Sequence, residues 1–423
     1  MKVLIVGGGG REHAIAVKLK QSPQVTELYC APGNGGTAAI ATNVPIKATD
    51  VDGMVKYCVE NQMDFVVVAP DDPLMLGMVD ALNEKGIKTF GPRANAAIIE
   101  GSKAFSKDLM KKYGIPTAGY EVFTDSTAAI DYVKQQNSFP AVIKADGLAL
   151  GKGVIIAKDM AEAEEAIHDM LDGGKFGSAG SRVVIEELLT GPEVSVLAFC
   201  DGKTVKPMVS AQDHKRAYDN DEGPNTGGMG TFSPSRMYTP EIAEECMKTI
   251  FLPTVEAMAK EGRPFKGCLY FGLMITPKGV KVIEYNSRFG DPETQVVLPR
   301  LKTDLMDIFM AIWDEKLDQI DIEWEDNAAV CIVLASGGYP VSYKKGYEIT
   351  GIEEAEKLPG CCVYHAGTKL ENGKFYTDGG RVLGVTRVGN DLDEAIKNAY
   401  EAAALVHFQD MHMRKDIGIK KYN

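Results

Sequence analysis

Short apolar runs at residues 3–6, 28–30, 65–69 and 89–90 alternate with stretches at 13–21, 51–62 and 74–85 whose apolar positions recur at helical spacing. The short runs are rich in Val, Ile and Leu and read as strands, the periodic stretches as helices, so the first hundred residues predict βαβ units under a parallel sheet. Such a sheet takes its ligands at the carboxyl ends of its strands. Near residue 101 the pattern changes. A basic helix opens at Gly101-Ser102-Lys103 and stops at Tyr113-Gly114-Ile115-Pro116, where glycine and proline signal an end. An apolar run at 140–143, a glycine-rich turn and a β-branched run at 154–156 predict a hairpin, followed by an acidic amphipathic helix at 161–171 and a strand at 183–189. From about residue 327 the order becomes strands at 329–336, 361–367 and 382–388 and a helix at 392–407, the pattern of a small α+β unit. The expected fold is therefore mixed α/β and α+β and multidomain: an N-terminal parallel βαβ unit over 1–101, a middle unit over 102–326 with a flap or lid at about 115–190, and a C-terminal unit over 327–423.

A chain of 423 residues exceeds one ordinary hydrophobic core, and about one domain per ~150 residues agrees with three units. The net charge of −13 argues against broad binding to nucleic acid or anionic membrane, so any phosphate site must be local. The start, Met1 to Val6, runs into four glycines before an apolar signal region or a membrane span develops, and a cytoplasmic location is expected. Eight cysteines lie scattered, mostly in apolar runs and with no C-x-x-C pair, and read as core thiols. Six histidines show no ligand spacing, which leaves a hard cation held by oxygen as the metal option.

The chemistry concentrates in a few segments. Lys144 leads into Asp146-Gly147-Leu148-Ala149-Leu150-Gly151-Lys152-Gly153, and glycines let backbone amides approach phosphate oxygens while the lysines supply charge. A plain hairpin with solvated lysines is the alternative. The turn is not a Walker A loop, which needs Gly-Lys-Ser/Thr entering a helix. The first strand ends in Gly7-Gly8-Gly9-Gly10-Arg11-Glu12-His13, which lacks the third glycine of a dinucleotide fingerprint, and no acidic residue follows the second strand. Gly8, Gly9 and Gly10, opening a helix, are read instead as a phosphomonoester pocket, with the loop around Asn34 as its other wall, a plain tight turn being the alternative. Glu186 and Glu187 sit inside an apolar strand, where burying both is costly, so at least one is expected to face a cleft or a cation, an edge strand with one solvated face being the alternative. Glu284 and Asn286, two apart on a strand, share a face and are candidates for a divalent cation, and Arg288, in phase with them, for a carboxylate. The polar stretch at 211–230, with Asp213 and Lys215, is read as a functional loop.

In this order, Gly101-Ser102-Lys103, Lys144 with its glycine flap, Glu186 to Leu189, Glu193 and Glu284-Tyr285-Asn286 resemble the ATP-grasp superfamily. GGGGREHA at 7–14, Pro32-Gly33-Asn34, KADGLALGKG at 144–153, QDHK at 212–215, NTGGMG at 225–230 and NSRFGDPETQ at 286–295 are similar to the phosphoribosylamine–glycine ligases, across essentially the whole chain. The resemblance implies a middle ATP-grasp domain and an ADP-forming ligation of glycine to 5-phosphoribosylamine in purine biosynthesis. It implies ATP, with Mg²⁺ or Mn²⁺, held by Lys103, Lys144, Gly151, Gly153, Glu186, Glu187, Leu189 and Glu193; metal at Glu284 and Asn286; substrates at Gly8, Gly9, Gly10 and Asn34; and Asp213, Arg288 and Lys144 at the reacting groups. Glycine and 5-phosphoribosylamine are then the partners, with no nucleic acid or membrane, and the chain is expected as a monomer, a weak dimer being the alternative. Asp71 departs from the pattern, since these ligases more often carry glutamate there. A different ATP-grasp ligase or carboxylase, a nicotinamide-dependent dehydrogenase and a non-catalytic nucleotide sensor are the competing readings; the second lacks its fingerprint, and the third could spare Glu284 or Arg288.

Overall fold

A computed structural model describes residues 1–148, 153–174 and 177–419. The first strand, Lys2–Gly7, lies between Glu27–Pro32 and Phe65–Val68 in a five-stranded parallel sheet, with Thr42–Asn43 and Lys88–Phe90 at its edges. All four residues of Phe65–Val68 are buried, as a parallel strand covered on both faces requires. The expected helix at 74–85 is two helices, Asp71–Met75 and Met78–Glu84, because Gly77 between them takes a left-handed backbone, φ +81°. The helix expected from 13 begins earlier, at Gly10, so the glycine turn itself forms its first turn.

Two antiparallel four-stranded sheets form the middle of the molecule. One, in the order Tyr120–Phe123, Val183–Glu187, Ala141–Ala145, Val154–Ala157, is backed by helices Ser126–Gln136 and Met160–Leu171. It has a core of its own, built from Ile130, Val133, Ile143, Ile167, Met170 and Ile185 among others. The hairpin predicted at 144–156 is present, with Lys144 opposite Val154; its tip, including Gly151 and Lys152, lies outside the described residues. The other sheet, in the order Val205–Pro207, Glu193–Asp201, Lys266–Thr276, Gly279–Asn286, carries the longest strands of the middle region. Its face packs on the first sheet through a shared core in which Leu197 and Phe199 meet Val3, Ile5, Phe65 and the helix Leu305–Trp313.

The third region is a six-stranded sheet built on Ala328–Ser336, Arg381–Gly389 and Cys361–His365, covered by helix Leu392–Ala403. That helix stops four residues short of the expected 407. Two strands from the middle of the chain, Gln212–Asp213 and Gly230–Ser233, join its edge, so the loop at 211–230 is anchored at both ends to the C-terminal sheet. Among the described residues no helix is long and apolar enough to cross a membrane. The eight cysteines are free and most are buried, in line with their reading as core thiols.

Candidate functional site

The strand Val183–Glu187 resolves the question of its two adjacent carboxylates. Glu186 is buried and Glu187 exposed, as alternation along a strand demands. Lys107 Nζ lies 2.9 Å from Glu186 Oε2 and Lys144 Nζ 2.9 Å from Oε1. The second contact is not aligned as a hydrogen bond: Oε1 is buried with no hydrogen-bond partner, and Lys144 donates a long bond of 3.3 Å to the carbonyl of Ile283. Burial pushes the Lys107 ammonium down to about 8. Lys107 was not anticipated, although its position four residues after Lys103 puts both on one face of the helix Lys103–Tyr113.

The start of that helix is fixed by the base of the flap. Ser102 Oγ accepts from Phe105 N (3.1 Å) and donates to Asp146 Oδ1 (3.0 Å), and Ala104 N donates to the same carboxylate oxygen (2.7 Å). Arg182 closes on Asp146 Oδ2 at 2.6 Å. A carboxylate at a helix N-terminus is favoured by the unpaired amides there. Lys103 Nζ reaches over to the carbonyl of Gly147 at 3.0 Å, and burial lowers its affinity for a proton. Gly153 is buried, with its carbonyl accepting from Ala145 N at 2.8 Å.

Opposite these lysines, the strand Gly279–Asn286 presents Glu284 and Asn286 on one side while Tyr285 points into the core. Lys215 Nζ stands 3.4 Å from Glu284 Oε1 and 3.8 Å from Glu193 Oε2. The Lys215 charge, with Lys144, Lys103 and Arg288 adding to it, holds the Glu284 carboxyl down at about 2. Glu187 is tied to Lys281 (3.2 Å) and to Gly119 N (3.0 Å), and the half-buried Leu189 and exposed Glu193 follow it toward the second sheet. Ser195, Asp213, Lys215, Tyr270 and Glu284 line one narrow cleft. Burial, and then the neighbouring Glu293, push the Asp213 carboxyl well above its ordinary range. Glu293 itself is buried and accepts from Ser195 Oγ (3.1 Å) and Tyr270 OH (3.0 Å).

For a divalent cation the donor set is Glu284, anionic, and the amide oxygen of Asn286. Among the described residues no group of three or more His, Cys, Asp or Glu side chains is arranged to hold a metal. Two protein oxygens fit a Mg²⁺-like ion that keeps water and substrate phosphate for the rest of its shell. Arg288 lies past the end of the strand, so strand phase does not set its direction; Glu100 does, at 2.9 Å from its Nη2. Its Nε is buried with no partner.

The glycine corner is a separate place. Gly9 N donates to Glu12 Oε2 (2.6 Å), so the residue at the missing third glycine caps the helix. Asn34 Nδ2 donates to the carbonyls of Gly8 (3.0 Å) and His365 (2.8 Å), and its Oδ1 accepts from Thr37 N (3.0 Å). A Cβ on Gly8 would stand 2.4 Å from the carbonyl of Gly33, so the turn needs bare backbone there, whereas one on Gly10 would meet the end of the Gln295 side chain at 2.6 Å. Asp291 faces this turn, held by Gln295 (2.8 Å) and Arg381 (3.4 Å). Arg381 comes from the C-terminal sheet and carries no motif that would have marked it.

Three family models match the chain: the phosphoribosylglycinamide synthetase N domain over residues 1–100, its ATP-grasp (A) domain over 101–294 and its C domain over 329–420. The phosphoribosylamine–glycine ligase of Vibrio vulnificus is 50% identical over 423 residues, covering 99% of this chain and 98% of its own. That of Caldanaerobacter subterraneus is 47% identical over 417 residues, with 99% of each covered. The crystal structure of phosphoribosylamine–glycine ligase from Thermotoga maritima superposes with a TM-score of 0.86 at 34% identity, covering 99% of this chain and all 100% of that one. A biotin carboxylase from Campylobacter jejuni in complex with β-γ-ATP shares the fold alone, at a TM-score of 0.76 and 12% identity over 97% of this chain and 92% of its own.

Proposed function

Since this chain belongs to the phosphoribosylglycinamide synthetase family, and is thereby an ATP-using, ADP-forming ligase of glycine and phosphoribosylamine in purine biosynthesis, we propose that it works in two steps through glycyl phosphate. A carboxylate oxygen of glycine attacks the γ-phosphorus of ATP and ADP departs. The amine nitrogen of 5-phosphoribosylamine then attacks the acyl carbon, and phosphate departs with the former carboxylate oxygen. Neither step calls for a covalent residue; both call for charge neutralisation and alignment.

The observation that carries this reading is the pairing of Glu284 with Lys215 at 3.4 Å across the groove between the two middle sheets, with Lys144 reaching the carbonyl of the adjacent Ile283 at 3.3 Å. Lys144, held to Glu186 by charge but not by an aligned hydrogen bond, is free to turn its donors to a phosphate, and Lys103 stands beside it at the flap. Gly151 and Gly153 belong to the flap that would cover the triphosphate and keep water from the acyl phosphate. Glu187, Leu189 and Glu193 run along the edge toward the nucleoside, with Glu186 underneath. Glu284 and Asn286 would hold Mg²⁺, or Mn²⁺, which neutralises phosphate charge when bound. Asp213, its carboxyl raised by burial, is suited to take a proton from the attacking amine, and Arg288 to orient the glycine carboxylate.

The sugar phosphate is assigned to the corner of Gly8, Gly9 and Gly10, where Arg11 and Arg381 add positive charge. Asn34, with its amide committed, acts there by shaping the wall. We extend the reading to three units over 1–101, 102–326 and 327–423 and to a cytoplasmic monomer. The test uses glycine labelled with heavy oxygen in its carboxylate: one labelled oxygen should appear in the inorganic phosphate for each turnover. Unlabelled phosphate would overturn the acyl-phosphate route.

A further inference from the structure

Glu100 closes the helix Ala94–Gly101 and is 7% exposed. Its carboxylate collects donors from three successive residues of the cation strand's end. Ser287 donates through N (2.7 Å) and Oγ (2.9 Å) to Oε2, and Arg288 Nη2 approaches Oε1 at 2.9 Å. The Asn286 amide is satisfied when its nitrogen donates to Glu100 Oε1 (2.9 Å) and to the carbonyl of Tyr285 (3.2 Å); turned over, its oxygen would face two acceptors. A carboxylate accepts about four hydrogen bonds, so three of them and an ion pair leave Glu100 largely engaged by this one segment. With the amide nitrogen committed, the Asn286 oxygen is left for another partner, on the side shared with Glu284. The unpartnered, buried Nε of Arg288 is likewise left for a ligand other than Glu100.

We infer that Glu100 is a positioning residue for the divalent cation: by holding the Asn286 nitrogen and one arm of Arg288, it turns the amide oxygen and the free guanidinium donor toward the bound substrates. The inference rests on the assignment of Glu284 and Asn286 to the cation. It goes beyond that assignment by making a helix of the first hundred residues part of the cation site.

The test measures binding of Mn²⁺ in the presence of ADP, by the loss of the free-ion paramagnetic resonance signal, with no turnover involved. E284A, removing a direct ligand, is the control for the assignment itself. E100Q keeps the shape, but its one remaining oxygen is claimed by Ser287 N and Oγ, which leaves an NH₂ group facing the Asn286 nitrogen; it should weaken Mn²⁺ about tenfold or more, the usual effect of losing an outer-shell partner. N286D removes the donor to Glu100 and should weaken Mn²⁺ in the native background. In the E100Q background the same change should strengthen binding, because the new amide at position 100 donates to the new carboxylate at 286. Melting temperatures confirm that each variant is folded. E100Q without effect where E284A weakens binding, or N286D acting equally in both backgrounds, would overturn the inference and leave the assignment standing. E284A without effect would overturn both.

Discussion

The groove between the two middle sheets and the corner where residues 7–10 meet the C-terminal sheet are both lined with polar groups, but they hold them in opposite ways. In the groove, several charges are only loosely paired. Glu186 Oε1 lies within 2.9 Å of an ammonium yet has no hydrogen bond, and Lys215 touches Glu284 only at 3.4 Å. In the corner hydrogen bonds dominate: Asn34 spends its amide on Gly8, His365 and Thr37, and Glu12 spends its carboxylate on Gly9 and Arg11, while of Gln295 only the buried Oε1 is left without a partner. Loosely paired charge can be redirected to a ligand at small cost, whereas a closed network is costly to open. The groove is thus built to receive charge, the corner to hold domains in register around a backbone surface.

Breaking the groove should cost chemistry first. K144A is expected to lower glycine-dependent ADP formation on the order of a thousandfold or more, the scale on which phosphoryl transfer depends on cationic groups. It should also cost a few kcal/mol of stability, on the order expected when a buried carboxylate loses one of two cations. A rate within tenfold of the native enzyme would remove Lys144 from the phosphates. The corner should respond the other way round. N34A strands the carbonyls of Gly8 and His365 and should cost about 3 kcal/mol in thermal or urea unfolding, while binding of an ATP analogue stays unchanged. If stability held and only the KM for phosphoribosylamine rose, the amide would be a ligand donor rather than a tie.

The contrast also explains what could be read along the chain. Lys103, Lys144, Glu186, Glu284 and Asn286 were legible because each sits on, or next to, a strand or helix whose phase fixes its direction within a few residues. Lys107 was recoverable by the same rule and was missed only for want of a glycine or proline to draw attention to it. Glu100, Arg182 and Arg381 were not legible: each acts on a partner at least 36 positions away, Arg182 on Asp146, Arg381 on Asp291 and Glu100 on the segment after Tyr285. Strands Gln212–Asp213 and Gly230–Ser233 were hidden for a related reason, being too short to show alternation and stabilised by a sheet whose other strands begin a hundred residues later. The break at Gly77 was local, but a single glycine inside a helical pattern costs only about 1 kcal/mol and does not announce a left-handed turn.

The smallest expected effect concerns the seam behind the corner. His13 Nδ1 accepts from the backbone N–H of His365 at 2.8 Å, and the two rings meet edge to face. Burial, aided by the second ring, lowers His13 to about 3, and burial alone lowers His365 to about 4. Both folded values lie below the ordinary 6.5, so the unfolded chain takes up protons that the folded chain refuses. Stability from this pair is fully present above that value and is lost as pH falls through it toward 4, at up to about 1.4 kcal/mol per pH unit for each ring. Because carboxylates share the acid limb, the informative quantity is a difference of slopes. H365F should flatten the dependence of unfolding free energy on pH between 6 and 4.5 by about one proton's worth, with ATP binding at pH 7 untouched. Parallel slopes would mean that His365 is protonated in the folded chain, and that the seam, like the groove, carries charge it can give away.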